Sequence, residues 1–252
     1  MSLVSAAARR ARLGPYALWH LRDYLREKGI ATVITLSLVG YLNQVPITRA
    51  RSMGLRGELV TQISDQAFVS GLRLLAFLGV LFATNGIVAD DRRYGYYKFL
   101  FSKPVSIVGY YTQKFVVYGL GFVAVTALLL AVYWVTVEPF FRPALLPALA
   151  LVYVALGGIG FLLSAAWRFD WLSLAAVVGL SDILWILFAD SGGWRAAAVR
   201  ALPPVHLLDD IYVALRQGQP LPAGDLAWLA AYGLGCFLLG LVVIRWRPLV
   251  GA

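Results

Sequence analysis

Five stretches of this chain hold no Asp, Glu, Lys or Arg over lengths close to that of a membrane crossing. They are the 20 residues 29–48, the 16 residues 74–89, the 23 residues 115–137, the 25 residues 143–167 and the 19 residues 226–244. A helix needs about 20 apolar residues to cross about 30 Å of hydrocarbon, and a charge at its centre costs about 2.5–3.5 kcal/mol. A sixth stretch, Trp171 to Phe188, is as apolar but holds Asp182 in its middle. Lipid offers no partner to open N–H and C=O groups, so the backbone in these stretches must be helical. The runs lack the period-two alternation of a membrane barrel. The sequence therefore predicts one all-α integral membrane domain over residues 1–252, with spans at about 30–46, 67–89, 115–136, 145–167, 171–188 and 226–244.

Composition excludes the soluble alternatives. Hydrophobic residues make up 60% of the chain and charged residues 14%, about half the ~25% of a globular domain. The mean hydropathy is +0.75. So few charges cannot cover the core of a soluble enzyme of this size, and a disordered or collagen-like chain would look quite different.

Six crossings put both termini on one side, and the basic residues say which. Residues 1–29, 90–114, 167–170 and 245–252 hold 14 Lys and Arg, whereas 47–66, 137–143 and 189–225 hold 7. The first side is net +9 and the second is neutral, which predicts cytoplasmic termini in a multi-pass cell-membrane protein. The pI near 9.8 then follows from topology, with no nucleic-acid partner needed. Trp167, Trp171 and Trp246 fall at predicted inner ends, and Trp134 and Trp228 at outer ends, where indoles favour the headgroup region. Cys236 is the lone cysteine, so no intramolecular disulfide exists. The first apolar run lacks a small-x-small cleavage site and reads as a retained span.

Residues 14–28 predict a short amphipathic helix with Pro15 in its first turn. Ala17, Leu18, Leu21, Tyr24 and Leu25 share one face, and Arg22, Asp23, Arg26 and Glu27 take the other. Two readings stand: a helix lying in the cytoplasmic interface with Lys28 snorkelling, or a solvated basic leader.

The connection 90–114 is the longest predicted cytoplasmic segment, longer than the two to eight residues usual between helices. It reads Asp90-Asp91-Arg92-Arg93-Tyr94-Gly95-Tyr96-Tyr97-Lys98-Phe99-Leu100-Phe101-Ser102-Lys103-Pro104-Val105-Ser106. Tyr96–Ser102 predicts one or two helical turns ended by Pro104. Aromatics beside charges point to a docking surface for a cytoplasmic protein.

An acidic pair, then Gly95, a short hydrophobic helix and Pro104-Val105-Ser106 resembles the loop in permease subunits of type-2 ABC transporters. The six-span layout, the amphipathic entry helix and an outer segment before the last span are similar to that family too. The sequence departs from its pattern at Tyr96, where Thr is usual, and lacks a clean Leu-Leu pair. The resemblance implies an exporter-like fold in which residues 90–104 form a coupling helix, seated in a groove on an ATP-hydrolysing subunit. Asp90, Asp91, Arg92, Arg93 and Lys98 would supply orienting charges, and Tyr94, Tyr97 and Phe99 the anchors. It further implies a second permease copy or homologue beside this one.

No catalytic residue emerges from the chain itself. A phosphate-binding loop needs Gly-x-x-x-x-Gly-Lys-Ser/Thr, and Lys28, Lys98, Lys103 and Lys114 all lack it. ATP and Mg therefore belong on the partner ATPase under this reading, and the chain itself binds no cofactor. His20 and His206 stand apart, which argues against a metal site, and no Gly-x-Ser-x-Gly elbow occurs. The alternatives are an ABC-type subunit that serves maturation or assembly of an envelope protein, or a non-ABC integral membrane enzyme.

Three features stay open. The outer segment 189–225 predicts a short helix over Val205–Leu215, from Leu208, Ile211, Val213 and Leu215. It is either a plain external loop or, as in the resembled family, a helix re-entering the outer membrane half. Ala231 with Gly235, and Ala175 with Gly179, are small-xxx-small steps that serve either packing within the chain or a seam between copies. Arg73 and Asp182 lie inside the second and fifth spans. They either pair, or Arg73 snorkels outward while a Ser or backbone group holds Asp182.

Overall fold

Each uncharged stretch must close its own backbone hydrogen bonds, and each does so as a helix. The computed structural model describes residues 16–54, 57–95, 106–136, 143–167 and 170–246, and these are all-helical with no strand. Six helices are long and apolar enough to cross a membrane. We label the elements α1 (Tyr16–Ser52), α2 (Glu58–Thr84), α3 (Ala89–Arg93), α4 (Ile107–Thr136), α5 (Leu145–Ala166), α6 (Asp170–Phe188), α7 (Gly193–Ala201), α8 (His206–Gln217) and α9 (Ala223–Trp246). Helices α1 and α9 overrun both predicted bounds and α4 its first, α5 and α6 match theirs within a residue, and α2 starts nine residues early but stops at Thr84, short of the predicted 89.

One predicted boundary is corrected. Segment 14–28 is not a separate helix: from Tyr16 onward it runs without a break into the first span, giving a helix of 37 residues. At 1.5 Å per residue this is about 55 Å, well beyond the ~30 Å hydrocarbon. A single π-helical turn, Tyr24–Gly29, takes up an extra residue where the two parts join. The predicted apolar face is divided between the bundle and the exterior. Tyr24 is buried, but Leu18, Leu21 and Leu25 point outward, and the inward residues include His20 and Gly29.

Helix α5 is the centre of the bundle, touching α2, α4, α6, α8 and α9. Its residues are buried for most of its length, whereas α6 exposes Leu172, Leu180, Ile183, Ile186 and Leu187. Such an apolar exterior suits lipid as the solvent. The tightest seam is between α5 and α9, where Gly158 and Gly233 bring the backbones together; a Cβ on either would collide with the carbonyl region of the facing helix. Elsewhere glycines receive aromatic rings: Tyr153 lies over Gly119, Tyr24 over Gly121 and Phe161 over Gly240. A ring stack ties three spans together, with Phe237 4.5 Å from Phe115 and 4.8 Å from Phe161 between centroids. A Cβ on Gly179 or Gly235 would meet no atom within 4 Å among the described residues, so neither small step is filled by them.

Candidate functional site

Polar side chains gather at two opposite ends of the bundle. At one end α2 stops at Thr84 and a turn leads into the five-residue helix α3. Side chains strap this corner down. Ser164 Oγ, at the end of α5, accepts hydrogen bonds from the backbone N–H groups of Val88 and Ala89, each at 3.2 Å. Arg92 Nη2 donates to the carbonyl oxygen of Ala165 at 2.6 Å. Lys114 Nζ, from α4, donates to Asp91 Oδ2 at 3.0 Å, with both side chains only 6% exposed. Lys28, from α1, donates to the Asn85 carbonyl oxygen in the same turn. The α3 corner is thereby fixed to α1, α4 and α5, in addition to α2 from which it continues.

The predicted coupling residues separate into two groups. Asp91 turns inward from α3 and is buried against Lys114. Arg92 is half-buried and committed to Ala165, and Asp90 is half-buried. Arg93 and Tyr94 are exposed, with the guanidinium over the Tyr94 ring at 5.7 Å from its centroid. Gly95 follows at φ +69°, a left-handed turn that ends the corner. Tyr97, Lys98, Phe99 and Pro104 lie outside the described residues.

The sequence reading missed an aromatic cluster beside this corner. His20 is fully buried among rings, with Tyr110 at 5.0 Å and Trp19 at 5.1 Å, and neither of its nitrogens has a hydrogen-bond partner among the described residues. Tyr118 Oη donates to Asp23 Oδ2 at 3.3 Å, and the Lys28 ammonium lies 5.0 Å from the Tyr118 ring centroid. Spacing was the available signal: His20, Tyr24 and Lys28 recur at i, i+4 and i+8, which puts them on one helix face.

At the opposite end Arg73 is shared. Its Nη2 donates to Asp182 of α6, and its Nη1 donates to Asp209 of α8 at 2.9 Å. The structure thus brings together the two charges found inside the spans and adds a third from α8. Arg216 Nε donates to Asp65 Oδ1 at 2.7 Å, a second link between α8 and α2. His206 stacks on Trp185 with centroids 3.4 Å apart and planes within 6°. Burial lowers the His206 pKa, against the opposing pull of Asp210, Asp182, Asp225 and Asp209. Burial likewise raises the Asp209 carboxyl, partly offset by Arg73.

No family model, curated protein or solved structure matches this chain.

Helix α8 itself follows from pattern. The apolar face of α8, with Leu208, Ile211, Tyr212 and Leu215, is buried in the bundle, and its polar face presents Asp209 and Arg216 to α2. Helix α7 has only Ala196 and Val199 buried and adds no charged contact to this network. Among the described residues no three His, Cys, Asp or Glu side chains converge on a metal-sized site.

Proposed function

We propose that this chain is the membrane-spanning permease subunit of a type-2 ABC transporter, acting as an exporter and driven by a separate ATPase. The observation that carries the reading is the strapping of the α3 corner. A push delivered to a loose connector would dissipate, but α3 is held to α1, α4 and α5 by Lys28, Lys114, Ser164 and Arg92. A load at Arg93 and Tyr94 therefore reaches four spans together, as a rigid-body transition between two packings requires.

The remaining features agree with that role. The corner belongs to the strongly basic side of the molecule, which the positive-inside rule assigns to the cytoplasm. The partner ATPase would hold ATP and Mg, and a second permease copy would complete the pathway, since six spans leave little room to enclose one. The Ala175–Gly179 and Ala231–Gly235 steps, whose glycines face open space among the described residues, suit such a neighbour.

The test is co-purification from native membranes, followed by ATPase assays in nanodiscs. A soluble ATPase should accompany the chain, and Tyr94→Ala with Arg93→Glu should break its coupling to transport while membrane insertion stays intact. Recovery of the chain with no ATPase under conditions that preserve other membrane complexes would overturn the reading.

A further inference from the structure

Helix α1 carries two packing faces, and the described residues fill only one. Its inward face, with Thr32, Leu36, Val39, Ile47 and Ala50, is buried in the bundle. On the opposite side Ile30, Ile34, Ser37, Tyr41, Gln44 and Thr48 recur at steps of 4, 3, 4, 3 and 4 residues. Gln44 is half-buried and the other five are exposed, Tyr41 by 70%. Alternating steps of 4 and 3 give the 3.5-residue period by which two helices interlock along a left-handed seam.

The chemistry of this row is wrong for lipid. The charge-free window 29–48 is about 30 Å long, so Ser37 and Tyr41 stand within about 4 Å of its middle and Gln44 about 8 Å from it. Among the described residues no hydrogen bond engages the side chain of Ser37, Tyr41 or Gln44. Hydrocarbon offers these groups no partner, whereas a neighbouring helix does. Elsewhere the bundle keeps to the opposite rule: α4, α6 and α9 turn Leu120, Leu180 and Leu238 outward from their middle turns.

We propose that this row is the seam on which α1 of a second copy packs, parallel to the first and related to it by a two-fold axis along the membrane normal. Every hydroxyl and amide in the row both donates and accepts, so the row complements a copy of itself at equal depth. A different protein would have to bring a matching set of its own. Gly40 lies beside the row, and a Cβ there would meet nothing within 4 Å among the described residues, which leaves room for a close approach. Water is a poorer occupant, because the inner end of the row is Ile30 and Ile34. The seam rests on the permease reading for its expectation of a second copy and says where that copy sits.

Disulfide trapping in native membranes tests it, using the full chain with Cys236→Ala and one new cysteine at a time. Oxidation should give covalent dimers from Ile34→Cys, Ser37→Cys, Tyr41→Cys and Gln44→Cys, and none from Leu120→Cys on the exposed side of α4. Gly40→Ile meets open space, so the chain should insert as before while trapping from Ser37→Cys falls about tenfold. No dimer from the four row positions, equal trapping from Leu120→Cys, or trapping undiminished by Gly40→Ile would overturn the seam. So would labelling of Ser37→Cys and Gln44→Cys by a membrane-impermeant maleimide in place of dimers, the mark of a water-filled pathway. Loss of the dimers while an ATPase still co-purifies would sink the seam alone; dimers with no ATPase would uphold the seam and count against the permease reading.

Discussion

Lys114, eight residues into α4, donates a 3.0 Å hydrogen bond to Asp91 on the five-residue helix α3, and water reaches neither side chain appreciably. A buried pair of this kind contributes little net stability compared with apolar replacements, but breaking it strands a charge. Its value lies in fixing where α3 sits against α4.

Lys114→Met or Asp91→Leu alone should therefore cost about 3–5 kcal/mol. The double variant should be markedly milder than the sum of the two. Unfolding in mixed micelles measures all three, and additive losses would show that the pair does not act as a unit.

Glycine positions separate by what faces them. Gly158→Ala and Gly233→Ala push a methyl into the backbone of the opposing helix and should destabilise the α5–α9 seam by about 1–3 kcal/mol or more. Gly179→Ala and Gly235→Ala meet open space among the described residues and should leave the isolated chain's stability unchanged or slightly raised. Thermal unfolding of the four single variants checks the contrast.

Arg73 holds two carboxylates from two helices. Arg73→Leu should lower folded yield more than Asp182→Leu does, because it leaves both Asp182 and Asp209 without their cation. Arg73→Leu combined with Asp182→Leu should recover part of the loss. Strictly additive yields would mean the two residues do not share a site.

The stacked His206 gives a pH dependence of fixed sign. Its pKa in the folded chain is lowered below 6.5 by burial, so folding favours the neutral ring. The stabilisation is present above pH 6.5 and is lost as pH falls through the lower folded value. Stability curves of the wild type and His206→Gln, taken from neutral into mildly acidic buffer, should converge as the pH drops. Parallel curves would contradict this.

The spans were legible because charge gaps of that length have one solution in lipid. Helix α8 was legible as well, since Leu208, Ile211 and Leu215 mark a helical period. Helix α7 was not, because Gly193–Ala201 is rich in alanine, contains Arg195 and Arg200, and shows no strong apolar period. The entry helix was legible as amphipathic, but its packing was not. Leu18, Leu21 and Leu25 lie on the exterior, as an apolar stripe beside a bilayer can, while His20 and Tyr24 pack on Tyr110 and Tyr118, rings far along the chain. Asp91 was assigned to a partner for a similar reason: sequence placed it in a charged loop, and only the fold set Lys114, 23 residues later, against it.

The most direct test of the coupling account is a photo-crosslinking residue placed at Tyr94, which is 58% exposed beside Arg93, with Trp194, 77% exposed on α7, as the control. In native membranes Tyr94 should capture an ATPase subunit and Trp194 should not. Capture from Trp194 alone, or from neither position while the ATPase co-purifies, would contradict the assignment of the α3 corner as the point where ATP hydrolysis drives the membrane helices.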